Sequence, residues 1–135
     1  PGIDMDRVVN FLYQEMKPYE DSKPAIVKSV KYAVKDRAGH GGYVFELRDD
    51  TALLGVCVVN RTGMEDYMPA NILVYLAIQK GHRGKGHGTK LLEYALEHCQ
   101  GQVMLHISRD NPAIAFFENG GFETRYFEMY LNRKK

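Results

Sequence analysis

Ile78-Gln79-Lys80-Gly81-His82-Arg83-Gly84-Lys85-Gly86-His87-Gly88-Thr89-Lys90-Leu91-Leu92 is the stretch on which the reading of this chain turns. Before it, Ile72 to Ile78 is apolar almost throughout, which predicts a central strand buried on both faces. After it, Leu91, Leu92, Ala95, Leu96 and Cys99 fall on one stripe between Thr89 and Gln100, and Gly101 ends the pattern as a helix C-terminal glycine does. Val103 to Ile107 predicts the next strand. Strand, glycine-rich loop, helix and strand make a βαβ crossover, expected to be right-handed with its two strands parallel.

Working outward, Val8, Phe11, Leu12 and Met16 recur at helical spacing and Pro18 stops them, giving a first helix from Met5 to Met16. Ser22 as N-cap, Pro24 in the first turn and Ile26, Val30, Ala33 and Val34 on one face give a second, ending before Gly39. Tyr43 to Leu47 and Ala52 to Arg61 read as strands joined by a tight turn at Asp49 and Asp50, and Arg61 to Ala70 as a longer loop. Downstream, Asn111 and Pro112 predict the start of a short helix over Ala113 to Glu118, and Phe122 to Leu131 is expected to close the sheet. The expected fold class is α/β: a mixed, mostly antiparallel sheet with helices on both faces and one parallel βαβ crossover.

The 135 residues carry 18 Lys+Arg against 17 Asp+Glu, with 44% hydrophobic residues, and no repeat or linker divides them, so residues 1–135 are expected to form a single domain. Near-neutral charge argues against a dedicated nucleic-acid binder. The longest apolar run, Ala52 to Val59, is far short of the roughly 20 residues that span a bilayer, and two cysteines without CxxC spacing suit a reducing cytoplasm.

Charge is nevertheless uneven. No acidic residue lies between Asp66 and Glu93, while Lys80, His82, Arg83, Lys85, His87 and Lys90 crowd among Gly81, Gly84, Gly86 and Gly88. Glycines let backbone N–H groups turn inward, and a helix starting near Thr89 adds the positive end of its dipole, so the loop suits phosphate better than it suits a merely solvated turn. His87 after Gly86 breaks the Walker pattern, and Gly84, Gly86, Gly88 lacks the dinucleotide spacing. ATP and NAD are therefore poor guests. A zinc site on His82 and His87 is opposed by the surrounding cations, and no metal is expected.

The same stretch resembles the acetyl-CoA motif R/Q-x-x-G-x-G/A of the GCN5-related N-acetyltransferases (GNAT), matched by Arg83, Gly86 and Gly88. Asn111-Pro112-Ala113-Ile114-Ala115-Phe116-Phe117-Glu118-Asn119-Gly120-Gly121-Phe122 resembles the second motif of that family, and the order of upstream elements suits it. The resemblance implies that backbone groups of Leu76, Ala77 and Ile78 pair with the pantetheine arm. It implies that amides of Arg83, Gly84, Lys85, Gly86, His87, Gly88 and Thr89 hold the pyrophosphate, Asn111 faces the arm and Phe117 lies near the thioester. It further implies direct transfer of acetyl from acetyl-CoA to a primary amine, on a small molecule, a protein terminus or a lysine. Nucleic acid and membrane are not expected partners, and a homodimer is left open.

Three departures stand out. Phe117 occupies the place where many members have a thiolate-protonating tyrosine, which favours a competing class, a non-catalytic acyl-CoA-binding or regulatory module. The spacing from Asn111 to the aromatic pair is one residue short, which aligns Asp110 with the usual Asn. Only Pro1 to Asp4 precede the first helix, where the family commonly has a strand. Among remaining candidates, His106 is read as the general base with a packed core histidine as the alternative, Tyr126 and Tyr130 as reserve acids, Tyr75 as packing and Cys57 as inert core. The Arg61 to Ala70 loop and the first two helices are expected to choose the acceptor.

Overall fold

The computed structural model describes residues 2–35 and 39–133. Asp4 caps the first helix, α1 (Met5–Glu15), by accepting from the Arg7 amide at 3.1 Å. Ser22 caps α2 (Lys23–Ala33) through the Ala25 amide at 3.3 Å. Then come β1 (Gly42–Asp49), β2 (Ala52–Arg61), β3 (Asn71–Ile78), a 3-10 turn at Lys80–His82, α3 (His87–His98), β4 (Val103–Met104) and α4 (Ile114–Asn119). No strand precedes α1 among the described residues.

The sheet runs β1-β2-β3-β4, antiparallel at the first two junctions and parallel at the last. Its two faces are covered by different helices. Val56, Val58, Tyr75 and Ala77 pack with Val8, Leu12, Ile26 and Val30 of α1 and α2, while Cys57, Val59, Leu73 and Ile78 pack with Leu91, Leu92 and Ala95 of α3. Covered on both sides, β2 is buried continuously from Leu53 to Val59, so its sequence shows no alternation. Gly55 lets α3 come close, since a Cβ there would meet Ile78 Cδ1 at 2.7 Å and Leu91 Cδ2 at 3.2 Å. The helix-on-both-faces mixed sheet and its parallel crossover are as expected.

Two expected strands differ. The parallel ladder lasts only for Asn71↔Val103 and Ile72↔Met104, so Leu105 to Ile107 leave the sheet. The segment Phe122 to Leu131 does not close it. Residues 123–133 form no strand, and no backbone hydrogen bond ties them to the rest among the described residues. With no neighbouring ladder to join among the described residues, its β-prone composition makes no strand, and Tyr126, Phe127, Met129, Tyr130 and Leu131 all stay exposed.

Candidate functional site

β3 is where the sheet opens. Tyr75 pairs with Val58 and Leu73 with Val59, which leaves Val74 as an extra residue, a bulge beside the point where β4 departs. Beyond the bulge, the Gln79 amide donates to Leu54 O at 2.8 Å, so alternation turns the backbone of Leu76 and Ile78 away from β2, toward an edge that carries no strand among the described residues. Ala77, between them, has its peptide groups turned to β2. The Ile78 carbonyl already accepts from Arg83 Nε at 2.9 Å.

At the end of that open edge the chain makes its 3-10 turn and enters α3 two residues earlier than the spacing predicts. Gly84 and Gly86 have φ of 76° and 84°, the left-handed region that favours glycine. Gly86 is the N-cap of α3 and offers no side-chain cap, so the amides of His87, Gly88 and Thr89 have no intrahelical partner before Lys90 N reaches Gly86 O at 3.1 Å. No acid lies in the first turn. Gly88 has a further role, because a Cβ there would meet the Phe116 ring at 3.3 Å, which makes it the close contact between α3 and α4.

Arg83 is held by partners within the protein. Its amide makes a long turn bond of 3.4 Å to Lys80 O, and its guanidinium reaches the end of α1, donating to Glu15 O at 2.5 Å and lying 3.3 Å from Glu15 Oε1. Lys85 and Lys90 have no ion-pair partner among the described residues.

The connection from α1 to α2 lies across the opening. Tyr19 Oη donates to Asp110 O at 3.0 Å, on the loop before α4, and the buried Tyr75 donates its hydroxyl to Asp21 Oδ2 at 2.7 Å. Burial raises the Tyr75 hydroxyl well above its ordinary value, so it stays protonated. Asn111 Oδ1 accepts from the Ala113 amide at 2.9 Å, a turn that delays α4 to Ile114. Phe117 is half-buried, edge-to-face with Phe116 and Phe122 at 5.1 and 5.6 Å.

His106 is not a core histidine. Its side chain is 59% exposed and its Nε2 lies 2.8 Å from Glu128 Oε2, a carboxylate that also accepts from Tyr130 Oη at 3.1 Å. That hydrogen bond raises the Tyr130 hydroxyl above its ordinary value. Tyr126 is 86% exposed and makes no hydrogen bond among the described residues. Cys57 is buried, which pushes its thiol far up and leaves it unreactive. No group of three His, Cys, Asp or Glu among the described residues could hold a metal. The Arg61 to Ala70 loop sits at the start of β3, where Glu65, Asp66 and Met68 line a shallow hollow with Gly101 and Gln102. Sequence reasoning missed Glu15, Asp21 and Glu128, each of which acts on a residue far along the chain and falls in no motif.

No helix among the described residues is long and apolar enough to cross a membrane. No curated protein sequence matches the chain. Among solved structures, a GNAT-family acetyltransferase from Streptococcus pneumoniae TIGR4 superposes with a TM-score of 0.70 at 16% identity, over 98% of this chain and 94% of that one. Arabidopsis thaliana Naa50, solved with the bisubstrate analogue CoA-Ac-MVNAL, gives 0.69 at 21% identity, over 93% and 82%. The PH1933 protein of Pyrococcus horikoshii OT3 gives 0.71 at 16%, over 96% and 88%. These likenesses establish the fold. The sequence model of the acetyltransferase (GNAT) domain matches residues 40–124, and with more than half its length inside that match the chain belongs to the GNAT acetyltransferase family.

Proposed function

We propose that the protein transfers an acetyl group from acetyl-CoA directly to a primary amine. One observation carries this reading: the edge of β3 at Leu76 and Ile78, which has no partner strand among the described residues and of whose groups the Ile78 carbonyl is held by Arg83, leads into an uncapped helix N-terminus in a basic loop whose own sequence has no acid. A pantetheine arm needs backbone partners along an edge, and a pyrophosphate needs converging amides beyond it. In this reading the amides of Gly84 to Thr89 and the Lys85 ammonium hold the phosphates. Asn111 and Phe117 flank the arm, and the α1–α2 connection borders the acceptor. Naa50, with its peptide-bearing CoA analogue, supports an amine on a protein terminus as one acceptor class beside small amines and lysine.

In the reaction, the amine nitrogen forms a bond to the thioester carbon, the C–S bond breaks, and the thiolate takes a proton. A primary ammonium must first lose a proton, and His106 is the proposed base: with Nε2 donating to Glu128, Nδ1 keeps its lone pair. Phe117 has no proton to return, so Tyr126, water or the amine's own proton serves the thiolate. The absent hydroxyl at Phe117 is the feature that favours a binding module without catalysis. The exposed apolar side chains of Tyr126, Phe127, Met129 and Leu131 give a second copy of the chain something to cover, which supports a homodimer.

Calorimetric titration with CoA tests the cofactor assignment. Binding is expected to weaken as salt rises, and Gly86→Ala to weaken it roughly 10-fold through strain at a left-handed position. Salt-independent binding, or a folded Gly86→Ala protein with unchanged affinity, would contradict it. Gly88→Glu also abolishes binding in this account, but its collision with Phe116 makes it a less direct test.

A further inference from the structure

Glu15 ends α1, 68 positions from Arg83, yet it gathers the first part of the glycine loop onto the helix. Its Oε1 accepts from the Lys80 amide at 2.9 Å and lies 3.3 Å from the Arg83 guanidinium, while its backbone carbonyl accepts from the same guanidinium at 2.5 Å. The carboxylate is largely screened from water, with a side chain 16% exposed. Through Nε, Arg83 also holds the last carbonyl of β3, at Ile78. One arginine thus joins the end of α1, the end of β3 and the turn between β3 and α3.

Each of these groups would otherwise be costly. Glu15 O is one of the carbonyls a helix end leaves without a partner, and Lys80 N is a backbone donor at the first residue of the 3-10 turn. The loop that follows turns through two left-handed glycines, residues with the greatest conformational freedom to lose. Ordering such a loop before the ligand arrives removes a cost that binding would otherwise meet.

We infer that Glu15 is a positioning residue for the cofactor loop: it holds Arg83 and Lys80 against α1, so that Arg83 shapes the loop while Lys85 and the α3 amides meet the phosphates. This deepens the reading of the loop as a CoA site and rests on it. Because Glu15 begins the connection that continues through Tyr19 to Asp110 and Asp21 to Tyr75, the clamp also ties the cofactor loop to the segment bordering the proposed acceptor.

The test is a double-mutant cycle on the full chain, with CoA affinity measured by calorimetry across a salt series for wild type, Glu15→Ala, Arg83→Ala, the double variant and Lys85→Ala. Glu15→Ala and Arg83→Ala are each expected to weaken CoA roughly 10-fold, and the double variant no more than either, because both remove the same clamp. Both should keep the wild-type salt dependence, since no phosphate contact is lost, whereas Lys85→Ala should flatten it. Glu15→Gln, which can still accept from Lys80 N, should recover part of the loss. Should Glu15→Ala fail to fold, Glu15→Gln carries the cycle.

Additive losses, or a salt dependence flattened by Arg83→Ala, would overturn the inference. So would tighter binding by Glu15→Ala, which would mean that Arg83 is a phosphate ligand held back by Glu15. Wild-type protein that binds no CoA would instead sink the reading of the loop itself, and wild-type binding with Glu15→Ala unchanged would remove the clamp alone.

Discussion

His106 illustrates what one residue's surroundings add to its identity. In sequence it sits in a run of strand-prone residues, where a histidine is ordinarily packed, yet the ladder ends two residues earlier and the ring emerges beside Glu128. A carboxylate at 2.8 Å fixes the ring's orientation and the nitrogen that keeps a lone pair. His106→Gln is expected to lower turnover by roughly 100-fold while leaving CoA affinity nearly unchanged, and to remove the acidic limb of the pH–rate profile. Steady-state kinetics across a range of pH check it. Retention of rate and profile would move the role of base elsewhere, with Asp21 beside Tyr75 the next residue to examine. The motif residues Gly86 and Asn111 could be found from sequence because each answers a local backbone demand, whereas the reason for Gly88, its close approach to the Phe116 ring, shows only in the fold. Glu128 could not, since a side-chain contact across 22 positions outside any ladder leaves no periodic trace.

At the scale of elements, legibility follows the same logic. Both N-terminal helices were readable to within a residue or two at their starts, from Ser22 as cap and from Val8, Leu12, Ile26 and Val30, all buried as their spacing requires. β2 and β3 were readable from continuous apolar runs. β4 and the segment 122–131 were not, because a strand exists only where a neighbour offers a ladder, and β-prone composition cannot report that a bulge at Val74 has parted the sheet. The short β4 is held by Asn71. Its side chain, almost fully buried, donates to Gln100 O at 2.8 Å and Gln102 O at 3.2 Å, and its amide donates to Gln102 O at 3.1 Å. Asn71→Ala is expected to cost about 1–2 kcal/mol by leaving the Gln100 carbonyl without its donor. Urea denaturation checks this. A midpoint unchanged from wild type would mean that the backbone ladder and the packing of Val103 and Leu105 hold β4 without the Asn71 side chain.

On the scale of the whole molecule, two helical layers hold a sheet whose third strand is paired along one edge and, among the described residues, open along most of the other. The open stretch ends at an uncapped helix, and the connection between α1 and α2 fastens to both sides of the gap through Glu15, Tyr19 and Asp21. Membership of an acetyltransferase family and this opening point the same way, while Phe117 leaves catalysis itself as the central claim. The most direct measurement is release of free CoA thiol from acetyl-CoA across a panel of primary amines, including small polyamines, amino acids and peptides with free N-termini, with acetylated amine and protein followed by mass spectrometry. Amine-dependent thiol release matched by acetylated amine is expected, with no acetyl group on Cys57 or Cys99 when acetyl-CoA alone is supplied. Tight CoA binding without thiol release for any amine in the panel would contradict it and identify a binding module.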